Sequence, residues 1–114
     1  MIEINAALEV ATATHPGMVR SHNEDSIAAD AEVGLAVLAD GMGGYNAGEV
    51  ASGIAVELIR TEMRKSISGK KSEERNGLNA EQLITDHATR ANAAIFHASQ
   101  SQPQYSGMGT TLVV

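Results

Sequence analysis

An α/β fold, with a small set of antiparallel strands packed against two helices, is what this sequence predicts, and three observations carry the prediction. Residues 33–44, VGLAVLADGMGG, form an almost unbroken apolar run that ends in one aspartate and breaks into glycines. Immediately after those glycines the apolar spacing changes from a strand pattern to the 3.6-residue repeat of a helix, and it does so again over residues 80–100. The last stretch, 108–114 (MGTTLVV), returns to β-branched residues.

Length and composition bound this reading. A chain of 114 residues is one domain at most. Only 3% of residues are aromatic, so the core has to be built from Ala, Val, Ile, Leu and Met. Without cysteine, disulfides, thiolate zinc sites and cysteine nucleophiles are excluded together. No apolar run approaches the length of a membrane span, and the N-terminus has neither a basic leader nor a long apolar segment. A cytoplasmic protein without membrane contact is expected.

Taken in order, residues 8–14 (LEVATAT) alternate as a half-buried strand would, and His15, Pro16 and Gly17 end them in a turn. A polar cluster, Arg20 through Ser26, then runs into a short strand at 27–30. Residues 31–34 read as a hairpin link, which makes this strand an antiparallel neighbour of the central one. The central run, apolar at nearly every position, reads as a strand buried on both faces. Asp40 at its end is then a charge at the rim of a core, where a carboxylate needs a partner or a cation.

Asn46, three residues before Glu49, reads as a helix cap with an acid in the first turn. Val50, Ala51, Ile54, Ala55, Leu58 and Ile59 mark the inner stripe of a helix over 47–65. Residues 66–77 (SISGKKSEERNG) have no apolar period and read as a loop. Asn79, with Gln82 three residues on, caps a second helix over 80–100, whose inner face carries Leu83, Ile84, His87, Ala91, Ala94, Ile95 and Ala98. Its small residues predict close packing on a sheet. The final strand ends mid-pattern, and a piece of a longer domain is expected. Strand edges left open by a missing remainder would favour self-association.

The formal charge is −6, and six of the eight basic residues (Arg60, Arg64, Lys65, Lys70, Lys71 and Arg75) lie between positions 60 and 75. Glu62, Glu73 and Glu74 are interleaved with them and no aromatic residue lies nearby to stack on a base, so a solvated surface is expected and not a nucleic-acid interface. His22 reads as a surface histidine of the polar cluster and His15 as a turn residue. Met18, Met42 and Met108 read as packing residues beside glycines, with Met42 at the rim of the site.

GMGGYNAGE invites a phosphate-loop reading, which its chemistry opposes. In the dinucleotide pattern Gly41 and Gly43 fit, but Asn46 takes the last glycine's place and Asp40 would repel a pyrophosphate. In the P-loop pattern Gly43 and Gly48 fit, but Glu49 stands where the lysine belongs. A metal suits the residues better. Glu24, Asp25 and Asp40 lie near the ends of two neighbouring strands, and hard oxygen donors beside glycine carbonyls match Mg²⁺ or Mn²⁺. Such ions bind phosphate and activate water; Arg20 could then grip a phosphate bidentately. Residue spacing alone also allows a plainer reading, surface carboxylates in a polar turn with Asp40 beside a helix start.

RSHNEDS (20–26), ADGMGG (39–44) and GMGTTL (107–112), in this order and spacing, resemble the N-terminal half of the bacterial metal-dependent protein serine/threonine phosphatases, the PPM or type 2C family. The resemblance covers roughly residues 11–114. It implies two antiparallel sheets packed face to face between helices, with residues 1–114 as the N-terminal portion of a single such domain. It further implies that Asp40 bridges two Mn²⁺ or Mg²⁺ ions and that Gly41 gives its backbone carbonyl to one of them. Glu24 would bind the second ion, Asp25 would be held through water, and Arg20 would bind the substrate phosphate. Gly109, Thr110 and Thr111 match a structural strand motif.

Members of the family remove phosphate from phosphoserine and phosphothreonine in proteins by direct attack of a metal-activated water. The substrates implied are phosphoproteins, with a bacterial serine/threonine kinase as the opposing partner in signalling. Eukaryotic members carry a histidine, proposed as general acid, where Met42 stands, so that role has no residue here. The family completes its metal pair with aspartates from the second half of the domain. This chain alone is therefore expected to bind metal weakly and to show little activity. A non-catalytic regulatory module keeping half of the fold is the alternative.

Overall fold

The computed structural model describes residues 8–68 and 77–114. Among the described residues three strands form one antiparallel sheet in the order β1 (Asp25–Asp30), β2 (Leu35–Met42), β3 (Gly109–Thr110). The expected hairpin is present, closed by turn bonds from Val33 N to Asp30 O and from Gly34 N to Ala31 O, each 3.3 Å. β1 begins earlier than the sequence reading put it, which brings Asp25 into the ladder directly opposite Asp40.

β2 departs from expectation in one respect. Leu35, Val37, Ala39 and Gly41 are buried while Ala36, Leu38, Asp40 and Met42 are exposed. An unbroken apolar run looks the same in sequence whether one face or both are covered; here a helix covers one face only. Residues 8–14 do not form the expected strand. They run as an exposed segment without ladder pairing, although β1 has a free outer edge; period-2 alternation marks a face and does not by itself bring a segment to an edge.

The first helix, α1 (Ala47–Ile67), lies on the buried face of the sheet. Its inner stripe contains Ala51, Ala55 and Ile59 as read from the sequence. Val50, Ile54 and Leu58 are only half-buried, and Gly48, Ser52, Val56 and Met63 take the central positions. The helix is rotated so that its small residues face the strands, which lets the backbones approach. Ser66 and Ile67, expected in the loop, are its last turn; residues 69–76 of that loop lie outside the described residues.

Asn46 does not cap α1 with its side chain. It occupies the left-handed region (φ 64°) and makes no side-chain cap bond. Ala47 N bonds to Gly44 O at 2.8 Å instead. The second helix, α2 (Ala80–Ser99), is capped as expected, Gln82 N donating to Asn79 Oδ1 at 3.0 Å. Its small residues meet α1 more than the sheet, with His87, Ala91, Ile95 and Ser99 buried. A 3₁₀ turn (Pro103–Tyr105) then leads into β3.

The final strand is shorter than residues 108–114, for a local reason. Its register with β2 continues to a bridge between Leu38 and Val113. At the pair between them the Asp40 amide bonds to the Thr111 hydroxyl at 3.0 Å, where a regular ladder would use the carbonyl. The core unites Val33, Leu35, Val37 and Ala39 with Ala47, Ala51, Ala55, Val56, Ile59, Met63, Ile95 and Met108. Met108 packs as expected and Met18 (99% exposed) does not; Met42 (61% exposed) is not a packing residue but does line the rim of a cavity at the end of β2.

Arg64 pairs with Asp30 and Glu32, tying α1 to the hairpin, while Arg60 pairs with Glu57 and Lys65 with Glu62. The described half of the basic cluster is thus engaged with acids. Lys70, Lys71 and Arg75 lie outside the described residues. Among the described residues no helix is long and apolar enough to cross a membrane.

Candidate metal centre

The ends of β1 and β2 meet the start of α1 at one point, and glycine makes the meeting possible. A Cβ on Gly41 would lie 1.9 Å from the carbonyl oxygen of Gly48; a Cβ on Gly48 would lie 2.7 Å from the amide nitrogen of Met42. Strand and helix are therefore in backbone contact. The glycines that sequence patterns offer to a phosphate serve here to bring the helix start against the strand end.

Glu24, just before β1, fills the angle between them. Its side chain is 18% exposed, and its carboxylate lies against Gly48 in the first turn of α1, where a Cβ would come within 2.7 Å of Oε2. The positive end of a helix favours an anion at that place. His22 stands on the other side, Nε2 at 3.4 Å from Glu24 Oε1, with Ser21 Oγ at 3.2 Å from its Nδ1. His22 is an exposed residue, as its sequence context predicts, and its ring also touches one of the predicted metal acids.

Asp25 and Asp40 face each other across the ladder. Burial raises the Asp25 carboxyl above the ordinary aspartate value, the hydrogen bond and the charge of Asp40 raise it further, and the charge of Arg20 opposes them. Like charges opposite each other on one sheet face destabilise the pair, and a cation between or beside them removes the cost. Local bonds hold both residues in place. Asp25 N donates to Asn23 Oδ1 (3.0 Å), whose Nδ2 donates to Thr14 Oγ1 (2.7 Å). Thr111 supplies its amide to Asp40 O (2.9 Å) and its hydroxyl to accept from Asp40 N.

A cavity of about 670 Å³ opens at this junction, lined by Arg20, His22, Glu24, Asp40, Gly41 and Met42 among others. Four of the five predicted site residues therefore share it; Asp25 lies beside it, next to Asp40. Arg20 comes from an exposed segment, and among the described residues no carboxylate pairs with its guanidinium.

Two hard carboxylates in mutual repulsion, a third beside them and no thiolate anywhere fit a divalent cation such as Mg²⁺ or Mn²⁺. Among the described residues, however, no three acid, histidine or cysteine side chains close around a point as a complete cage. The donor set fits an ion held partly by other oxygens. The roles of Ser52 and of the Thr111 hydroxyl have no signal in the sequence because their partners, Glu24 and Asp40, are remote in the chain, whereas Asn23, which accepts from the amide of Asp25 two residues on, carries the local signature of an Asx turn.

Comparison with known proteins agrees with this geometry. The profile of the protein phosphatase 2C family matches residues 18–114. The chain is 38% identical over 113 residues to the serine/threonine protein phosphatase PstP of Mycobacterium tuberculosis, covering 98% of this chain and 20% of that protein. It is 34% identical over 103 residues to the serine/threonine phosphatase Stp of Listeria monocytogenes, covering 88% of this chain and 39% of that protein. The crystal structure of the PstP catalytic domain in complex with two manganese ions superimposes with a TM-score of 0.64 at 35% identity, over 84% of this chain and 37% of that one. The chain thus spans well under half of these relatives. With the match running through the arginine, both acidic strand ends and the glycine junction, the chain belongs to the protein phosphatase 2C family.

Proposed function

We propose that this chain carries the phosphate-binding arginine and the first metal acids of a metal-dependent protein serine/threonine phosphatase. One observation carries the reading: Asp25 and Asp40 face each other across two paired strands, beside a cavity that also takes in Arg20, Glu24 and Gly41. Divalent ions held there, Mn²⁺ or Mg²⁺, would supply the charge that polarises a phosphoryl group and acidifies water. Two manganese ions accompany the related PstP catalytic domain, and a pair is proposed for the complete site here.

The residues divide the work by chemistry. Asp40 and Asp25 offer oxygens from the open sheet face, Glu24 offers its carboxylate from the helix side, and Gly41 has a main-chain carbonyl to give. Arg20, with a planar fork of donors and no carboxylate partner among the described residues, grips two phosphate oxygens at once. His22 orients Glu24. The substrates proposed are proteins bearing phosphoserine or phosphothreonine, with a bacterial serine/threonine kinase supplying those groups in a cytoplasmic signalling pathway.

Because no complete cage closes among the described residues, this chain alone should hold the ions weakly and turn over slowly. The open sheet face supports a second property, association of one copy with another. The deciding assay is Mn²⁺-dependent release of phosphate from a phosphothreonine peptide. We expect slow, metal-dependent release that falls by about tenfold or more in Asp40→Asn. Release that ignores Mn²⁺ or survives the substitution would overturn the assignment. Metal binding with no release at all would favour the alternative, a non-catalytic module that keeps the site's first half.

A further inference from the structure

Ser52 is fully buried in the second turn of α1, on a stripe otherwise made of alanine, glycine and aliphatic residues. Alanine would pack there and is the better helix former, and a hydroxyl in a dry interior is unfavourable unless bonded. This one is bonded across elements. Ser52 Oγ donates to the main-chain oxygen of Glu24 at 2.7 Å, the shorter of its carbonyl contacts, the other being Glu49 O at 3.2 Å. Ser26 Oγ lies 2.9 Å away and can donate in turn. The same Glu24 oxygen accepts the amide of Gly41 at 3.2 Å.

One hydroxyl therefore joins the helix to the chain entering β1 and, through a shared acceptor, to the strand end that follows Asp40. Glu24 precedes the first residue of β1, so the angle at which its side chain leaves the sheet is set by this bond together with the Gly41 amide. We propose that Ser52 is a positioning residue of the metal centre, holding the Glu24 and Gly41 backbones at the spacing that an ion requires. The proposal rests on the reading of Glu24 and Gly41 as ion-binding given above.

Its test measures Mn²⁺ affinity by the loss of the free-ion electron spin resonance signal, together with hydrogen exchange of the Gly41 amide, in the 114-residue chain. Ser52→Ala should weaken Mn²⁺ binding roughly tenfold, the scale on which partners of metal ligands act, and should speed exchange at Gly41. Ser52→Cys keeps the volume but donates poorly, so it should resemble Ser52→Ala. In a Glu24→Gln background Ser52→Ala should cost little further affinity, since residues acting through one another are not additive. Ala55→Gly, buried about one turn further along the same helix and without a side-chain polar atom, controls for general loosening and should leave affinity unchanged.

An Mn²⁺ affinity unaltered by Ser52→Ala, wild-type behaviour of Ser52→Cys, or full additivity with Glu24→Gln would each overturn the positioning role alone. Absence of Mn²⁺ binding in the unsubstituted chain would instead overturn the site reading and this proposal with it.

Discussion

Along β2, Leu35, Val37, Ala39 and Gly41 lie buried beneath α1, whereas Ala36, Leu38, Asp40 and Met42, which alternate with them, stay exposed on the other face. The covered face is a packed core in which residue size decides everything. The open face joins an acidic end, Asp25 beside Asp40, to an apolar middle, where Leu38 is 47% and Val113 62% exposed. An apolar groove of about 440 Å³ runs there between Ile27, Leu38, Val113 and the segment containing Val10. The odd-numbered side chains of this strand thus serve stability, and the even-numbered ones are those to which chemistry or contact is proposed.

The largest effect that separates the two faces should come from Gly41→Ala. The added methyl would stand 1.9 Å from the Gly48 carbonyl oxygen, a backbone atom that cannot turn away. Strand and helix must part, and with them the core and the acids proposed to hold metal. We expect the variant to be the most destabilised of all, by several kcal/mol, and to unfold without cooperativity in urea. A cooperative transition close to that of the parent chain would mean that the contact between strand and helix is not structural.

How much of this was legible in sequence differs between the faces. The period of α1 and α2, the hairpin and the Asn79 cap are local patterns, and local patterns survive translation into structure. That Glu24, Asp25 and Asp40 would come together was legible because a hairpin brings the start of one strand beside the end of the next; their part in binding an ion is the proposal made above. The exposure of half of β2 was not legible, since Ala36 and Leu38 are as apolar as Val37 and Ala39. The strand expected at residues 8–14 failed because alternation specifies a face and not a neighbour. Asn46 failed as a cap because the chain has to reverse between Met42 and Ala47, and the left-handed backbone at Tyr45 and Asn46 accomplishes that turn. Ser52 looked like an ordinary helix residue until its partner, Glu24, came within reach.

A smaller effect should sharpen the comparison directly. Ile59→Ala, at a position with no exposure, should cost about 2–5 kcal/mol through lost burial and a residual cavity. Leu38→Lys, on the open face, should change stability by no more than about 0.5 kcal/mol, because its long stem can lie along the apolar groove while the ammonium reaches water. The same substitution should abolish concentration-dependent sedimentation if copies associate through this face. Equal destabilisation by the two variants, read from urea midpoints, would show that the open face is covered in solution.

The smallest effect has the opposite sign. Asp25→Asn removes one of two facing carboxylates while keeping size and hydrogen-bonding capacity, so without metal it should stabilise the fold by roughly a few tenths of a kcal/mol. The gain has a defined pH dependence. Burial and Asp40 raise the Asp25 carboxyl above its ordinary value, so the folded chain takes up this proton at a higher pH than the unfolded chain does. The contribution of Asp25 to stability therefore falls as pH rises from its unfolded value through the raised folded one. The advantage of Asp25→Asn should be full above that window and vanish below it, in thermal melts recorded with chelator. Adding Mn²⁺ should reverse the order, because the cation turns the repulsion that Asp25 contributes into binding energy that the amide cannot match. A variant less stable than the parent without metal at neutral pH would mean that the two aspartates are held together by something other than a cation, and the open face would lose its claim to be built for one.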